Sequence, residues 1–189
     1  MRLFVIILSL AIYQTALAQE DSLQARIILI GDAGKLNFGR QLVVDAARDI
    51  IGTGEKTTVL YLGDNLYKTN LPEDNLPGYE AAKSVLDSQI NIAKGTKAKV
   101  IFIPGNHDWA DGGRNGLENL RRQETYINSH GDKNVQFSPT DGCPGPEVYA
   151  VSKDVILVLY DSQWFIQKGE KPGIESDCPY STPEQFYNE

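Results

Sequence analysis

The stretch Arg26-Ile27-Ile28-Leu29-Ile30-Gly31-Asp32-Ala33-Gly34 joins a short apolar run to a glycine-containing turn that carries a carboxylate. A run of this length, rich in β-branched residues and ended by glycine, predicts a buried strand. The same form recurs twice. Residues 57–62 lead into Gly63-Asp64-Asn65-Leu66-Tyr67, and residues 99–104 lead into Gly105-Asn106-His107-Asp108. We expect three strands, each closed by a glycine that lets the chain turn sharply before an oxygen-bearing side chain.

Helical patterns separate these strands. Residues 41–51 place apolar side chains on one helical face, and helices are also predicted at 79–93 and 117–129. A fourth apolar run at 155–160 predicts another strand, paired with residues 147–151. Strands that alternate with helices indicate an α/β fold, in which a parallel sheet lies between helix layers.

An Asp or Asn follows each predicted strand: Asp32, Asp64, Asn106 and Asp161. Because the carboxyl ends of parallel strands meet at one edge of a sheet, we expect several oxygen ligands there. Clustered carboxylate, phenol and amide oxygens are desolvated or repel one another unless a cation joins them, and hard or borderline metal ions suit this donor set. One Gly-Asp pair alone is a common turn or helix cap. Three glycines in succession, each followed by Asp or Asn and the last pair by His, indicate a metal site.

Together the three loops resemble the motifs of the calcineurin-like metallophosphoesterases, and among them those of the purple acid phosphatases, which begin GDxG, GDxxY and GNH(D/E). Gly34 and Tyr67 favour this branch, because other branches carry Asp-x-His in the first motif and GDxxDR in the second. The resemblance covers residues 26–165. It implies a metallophosphoesterase-type β-sandwich flanked by helices, and an acid phosphatase-like hydrolase whose substrates are small phosphate esters.

The resemblance also implies a dinuclear metal centre, with Fe(III) beside Zn, Mn or Fe(II). From the positions that match the family's motifs, Asp32 and Tyr67 would bind the first ion, Asp64 would bridge both ions and Asn106 would bind the second. His107 would be the catalytic residue that faces the phosphate and protonates the leaving oxygen. An imidazole pKa of about 6.5 suits that role.

The family pattern continues with VxxH and GHxH, and this sequence lacks both. It contains two histidines, His107 and His130, and His130 is expected at a helix end on the surface. Thr182 and Pro183 predict the start of a further helix. We therefore expect residues 19–189 to form the N-terminal portion of a phosphoesterase domain, incomplete on its C-terminal side and weak or inactive by itself. The alternative is a secreted, non-enzymatic binding protein or scaffold on the same fold.

Residues 1–18 predict a secretory signal peptide: a basic start, an apolar run at 3–13 and a small-x-small site that ends at Ala18. The run is about half as long as a bilayer span requires. We expect a secreted or periplasmic protein with no membrane span after cleavage. In that compartment Cys143 and Cys178 either form a disulfide or remain separate thiols.

The composition excludes some classes of function. With 189 residues, 41% hydrophobic and 23% charged, the chain has the composition of one globular domain. Its 18 Lys and Arg against 25 Asp and Glu give a formal charge of -7, the opposite of what a nucleic-acid groove requires. A phosphate substrate remains compatible if metal ions supply the positive charge. Residues 31–35 do not form a nucleotide-binding phosphate loop, because the glycine spacing is wrong and Leu36 replaces Ser or Thr.

Overall fold

The computed structural model describes residues 23–67 and 70–188. The predicted signal peptide lies outside the described residues. Four strands form a parallel sheet in the order β1-β2-β3-β4. They are β1 (Arg26–Ile30), β2 (Thr57–Tyr61), β3 (Lys99–Phe102) and β4 (Val135–Phe137). Ile28 lies opposite Val59, and Val59 lies opposite Val100. The three strands predicted before motif loops are confirmed to within two residues of their ends.

Three helices join consecutive strands of this sheet: α1 (Leu42–Ile51), α2 (Tyr79–Ile90) and α3 (Gly116–His130). Because the strand order follows the chain order, crossovers of one hand place all three helices on the same face. Their apolar stripes meet that face, and Val44, Leu86 and Ile127 belong to one buried core with Val59 and Phe102. All three predicted helices are therefore confirmed.

His130 ends helix α3, as predicted, and lies at the surface. Its ring stacks on Tyr126, with the two ring centroids 4.0 Å apart. It is far along the chain from the motif loops and makes its contacts within its own helix.

Among the residues that the structure describes, a hairpin and not a second helix layer packs on the other face of the sheet. Strands β5 (Glu147–Ala150) and β6 (Ile156–Leu159) pair antiparallel in a separate two-stranded sheet. Leu159 of this hairpin packs with Leu60 and Ile101 of the parallel sheet. The predicted pairing of these two segments is confirmed, and so is the α/β fold with a parallel sheet flanked by helices. The helices that join the strands lie on one face of that sheet and not on both.

Grouping Asp161 with the residues that follow the other three strands required residues 155–160 to be the fourth strand of the parallel sheet, and they are not. That place belongs to β4, which pairs with β3 through Val100 and Val135. The physical reason is the short connection between β5 and β6, which returns the chain in the opposite direction and allows only an antiparallel pair.

Two short helices follow the hairpin, α4 (Ser162–Ile166) and α5 (Pro183–Tyr187). The Thr182 side chain caps α5, as its sequence predicts. Cys143 and Cys178 form a disulfide, with their Cα atoms 5.3 Å apart. Within the described part of the chain, no helix has the length and apolar character needed to cross a membrane.

Candidate metal centre

The three motif loops meet at the carboxyl edge of the parallel sheet. The backbone nitrogen of Asp32 donates to the Gly63 carbonyl at 3.3 Å, and that of Tyr67 donates to the Gly34 carbonyl at 3.1 Å. A Cβ atom on Gly63 would lie 2.7 Å from the Cα of Gly105. The first loop therefore lies against the second, and the second against the third.

Fewer of the loop glycines adopt a left-handed φ than the sequence predicted. Gly63 does adopt a left-handed φ of 95°, but in the first loop the left-handed residue is Asp32, at 56°. Gly34 and Gly105 are needed because the loops approach closely. A Cβ on Gly34 would lie 2.7 Å from the backbone oxygen of Asp64, and one on Gly105 would collide with the Asp64 carboxylate. The small size of glycine thus lets the loops pack together.

Tyr67 and Asp32 are in direct contact. The Tyr67 hydroxyl donates to Oδ1 of Asp32 at 2.6 Å. This hydrogen bond raises the pKa of Tyr67 well above that of an ordinary phenol, and partial burial and the nearby carboxylates of Asp32, Asp64 and Asp108 raise it further. The phenol thus sits in a negative field, which a bound cation would offset.

His107, in the third loop, lies against the second loop. Its backbone nitrogen donates to Oδ1 of Asp64 at 3.2 Å, and its ring meets the Tyr67 ring edge-on with 4.8 Å between centroids. The third loop therefore places the backbone of His107 against the Asp64 carboxylate and its imidazole beside the Tyr67 phenol.

Asp111 contacts two polar residues of the third motif, Asn106 and His107. Its Oδ1 accepts from Nδ2 of Asn106 at 2.7 Å and lies 3.2 Å from Nδ1 of His107. The Asn106 amide nitrogen is thereby engaged, which leaves the amide oxygen as the atom available to a metal ion. We did not predict Asp111 from the sequence, although its position four residues after His107 is the signal that could have indicated it.

Asp108, the last residue of the third motif, holds the loops together from beneath. Its buried carboxylate accepts from the backbone nitrogens of Asn65, Leu66 and Gly105 and from Nε2 of Gln123, at 2.8 to 3.3 Å. Burial raises the pKa of Asp108 to about 6 despite these donors. Its hydrogen bonds span the second loop, the third loop and helix α3, so this side chain fixes the site without facing it.

Asp161 does not lie with the predicted ligands, and its expected place among them is wrong. It is a buried cap of helix α4, accepting from the backbone nitrogens of Gln163 at 2.9 Å and Trp164 at 3.1 Å. Its other oxygen accepts from the indole nitrogen of the buried Trp109 at 2.7 Å. It follows a strand of the antiparallel hairpin, and both of its oxygens accept hydrogen bonds from residues outside the predicted ligand set.

The remaining predicted residues form one contiguous cluster: Asp32, Asp64, Tyr67, Asn106 and His107. Across residues 23–67 and 70–188, no three His, Cys, Asp or Glu side chains come together as a metal-binding group. Any metal ion here would therefore depend on the phenol and amide as well as the two carboxylates. Such oxygen donors fit hard cations of charge two or three.

A family model, that of the calcineurin-like phosphoesterases, matches residues 25–177 of the chain. This span contains all three motif loops and the whole cluster. Neither a curated protein sequence nor a solved structure matches the chain.

Proposed function

Since the chain belongs to the family of calcineurin-like phosphoesterases, which are metal-dependent hydrolases, we propose that it cleaves small phosphate esters at this cluster. One observation carries the proposal. Three consecutive strand ends deliver two carboxylates, a phenol, an amide and an imidazole to one place, and Asp32, Tyr67, His107 and Asp64 are linked by direct contacts.

Two metal ions would be held by these residues. Asp32 and Tyr67 would bind the first ion, Asn106 the second, and Asp64 both. When bound, the ions supply positive charge that stabilises the phosphoryl oxygens and lowers the pKa of an attacking water.

His107 is the proposed general acid. Its Nδ1 faces Asp111 at 3.2 Å, which leaves Nε2 as the nitrogen that can reach a substrate. Nε2 would give a proton to the alcohol oxygen as its bond to phosphorus breaks. Asp111 would hold the ring in the orientation for this transfer.

We also propose that the site is of the purple acid phosphatase type, with Fe(III) in the first position and Zn, Mn or Fe(II) in the second. The support is Tyr67, whose hydroxyl lies against Asp32 where an iron-bound phenolate would be placed. A phenolate bound to Fe(III) absorbs visible light, so the iron-loaded chain should be coloured.

Iron loading of the full chain tests the metal site. Titration with Fe(III) should produce a visible absorption band that saturates near one equivalent. Tyr67→Phe should abolish the band, because the ring remains and the oxygen is lost. Tyr187→Phe is the control, since Tyr187 is 73% exposed in helix α5, and it should leave the band unchanged.

Hydrolysis of p-nitrophenyl phosphate tests the reaction. We expect slow turnover, because the described residues give the second ion only two ligands. The assay therefore uses the protein in excess over substrate. With Fe(III) and Zn(II) bound, His107→Ala should slow hydrolysis by roughly 10²–10⁴-fold and keep the iron band. His130→Ala should leave both the rate of hydrolysis and the iron band unchanged. Activity without the band would overturn the purple-type centre, whereas a folded chain that takes up no metal and cleaves no ester would favour a non-enzymatic binding protein.

We propose that the protein acts outside the cytoplasm, secreted or in the periplasm. The disulfide between Cys143 and Cys178 supports this, because such bonds persist in oxidising compartments. Fractionation of cells that express the full chain would test it, and recovery of the protein only from the cytoplasm would contradict it.

A further inference from the structure

A cavity of about 720 Å³ opens beside the cluster. Tyr67 and His107 form the end of the cavity nearest the proposed metal ligands. The segment that follows the first motif, with Lys35 and Leu36, forms one wall, and helix α2 forms the other. The volume falls within the roughly 300–1,000 Å³ of typical ligand sites, and a phosphoryl group would fill only a small part of it.

Most of the cavity wall is apolar. Helix α2 contributes the small side chain of Ala81 and the aliphatic side chain of Val85, and Leu36 faces them from the other wall. Polar side chains come from four residues: Lys35, Ser84, Tyr67 and His107. A wall of this kind favours an apolar ligand and gives few partners to the hydroxyls of a sugar.

The two walls are fixed to each other by Gln89 of helix α2. Its buried side chain donates from Nε2 to the Ala33 carbonyl at 2.8 Å and to the Asn65 carbonyl at 2.9 Å. Gln41 donates to the same Ala33 carbonyl. Because these bonds connect α2 with the first two motif loops, the cavity is formed before any ligand enters.

We propose that this cavity holds the organic group of the substrate, and that the enzyme selects phosphate monoesters of bulky, apolar alcohols over those of sugars or glycerol. The inference rests on the proposed function. With phosphorus at the cluster and the alcohol in the cavity, the ester oxygen lies beside His107. The oxygen of water adds to phosphorus as the bond from phosphorus to the alcohol oxygen breaks. The alcohol oxygen takes a proton from His107. A proton released by the attacking water then returns His107 to its protonated form.

Two phosphonates that cannot be hydrolysed test this by calorimetry on the full chain, with and without Fe(III) and Zn(II). Naphthylmethylphosphonate should bind roughly 10–100-fold more tightly than methylphosphonate, because its rings lose contact with water. Ala81→Trp should remove this preference by filling the cavity. Ala46→Trp is the matched control, since Ala46 is likewise an exposed helical alanine, on α1 and outside the cavity, and it should keep the preference.

The outcomes separate this inference from the proposed function. If phosphate esters are hydrolysed but the two phosphonates bind alike, or if both tryptophan variants behave alike, the cavity assignment is overturned and the phosphoesterase stands. If naphthylmethylphosphonate binds more tightly, Ala81→Trp alone removes the preference, and no ester is hydrolysed with any metal, the cavity assignment holds and the proposed function fails.

Discussion

Gly105 and Gly31 stand at equivalent places in their motifs, yet their surroundings differ. A Cβ atom on Gly105 would press on the carboxylate and backbone nitrogen of Asp64, whereas one on Gly31 would meet nothing within 4 Å. Gly31 also lacks the left-handed φ that would disfavour a side chain. Of these two residues, only Gly105 is therefore required to be glycine by close approach.

We expect Gly105→Ala to displace Asp64, lowering the free energy of unfolding by about 1–3 kcal/mol, the usual cost of overpacking, and weakening Fe(III) binding. Gly31→Ala should be neutral or stabilise by up to about 1 kcal/mol, because it reduces the freedom of the unfolded chain. Urea unfolding and iron titration of both variants measure these effects. Equal losses in the two variants would contradict this account of the glycines.

The sequence predicted that the three motif loops meet at the sheet edge, but not what holds them there. Motif residues follow strands directly, so their place at the sheet edge follows from the fold class. Asp108 and Gln89 were given no such supporting role, because their partners are distant in sequence. Asp108 reaches back to Asn65, and Gln89 reaches Ala33. Such contacts depend on how helices pack on loops, which apolar periodicity does not reveal.

At the level of whole elements, the sequence identified apolar runs but not the direction in which they pair. The run that contains β6 was correctly predicted as a strand, and was wrongly placed in the parallel sheet. The true fourth strand, β4, is only three residues long, with Gln136 at its centre. A segment that short and that polar carries no clear strand pattern.

Helix α3 is joined to the turn before β5 by Glu124, whose buried carboxylate accepts from the Asp141 backbone nitrogen at 2.9 Å. Burial raises the pKa of Glu124 from 4.5 to about 7, and the carboxylates of Asp141 and Glu147 add to the rise. At a pH between these two pKa values, Glu124 is protonated in the folded protein and ionised in the unfolded chain. The free energy of unfolding contributed by this group therefore falls as pH rises from 4.5 to 7.

Glu124→Gln keeps an acceptor for Asp141 and removes the charge, so it should abolish this pH dependence. At pH 8 we expect the variant to be more stable than the natural protein by about 1–3 kcal/mol, and at pH 5 nearly equal to it. Denaturant unfolding at both pH values measures the difference. Glu118→Gln, on the exposed side of the same helix, is the control, and a gain of the same size there would contradict the assignment.

On the scale of the whole molecule, the disulfide connects the turn before the hairpin with the segment after α4, which are 35 residues apart in sequence. The closed loop contains β5, β6 and α4. We expect reduction to lower the free energy of unfolding by roughly 2–4 kcal/mol, since the open chain has more unfolded conformations.

Denaturant unfolding with and without dithiothreitol measures this effect. The double variant Cys143→Ser with Cys178→Ser should match the reduced protein and show no response to reductant. If oxidised and reduced proteins unfold at the same denaturant concentration, the cross-link does not constrain the unfolded chain.

The sheet order β1-β2-β3-β4 repeats the order in which the chain is synthesised. Each new strand is therefore added beside a neighbour that has already been synthesised. Asp32, Asp64 and Tyr67 follow β1 and β2, so they precede Asn106 and His107 in synthesis as they do across the sheet. The residues proposed for the first metal ion are thus all made before the residue proposed to act on the substrate.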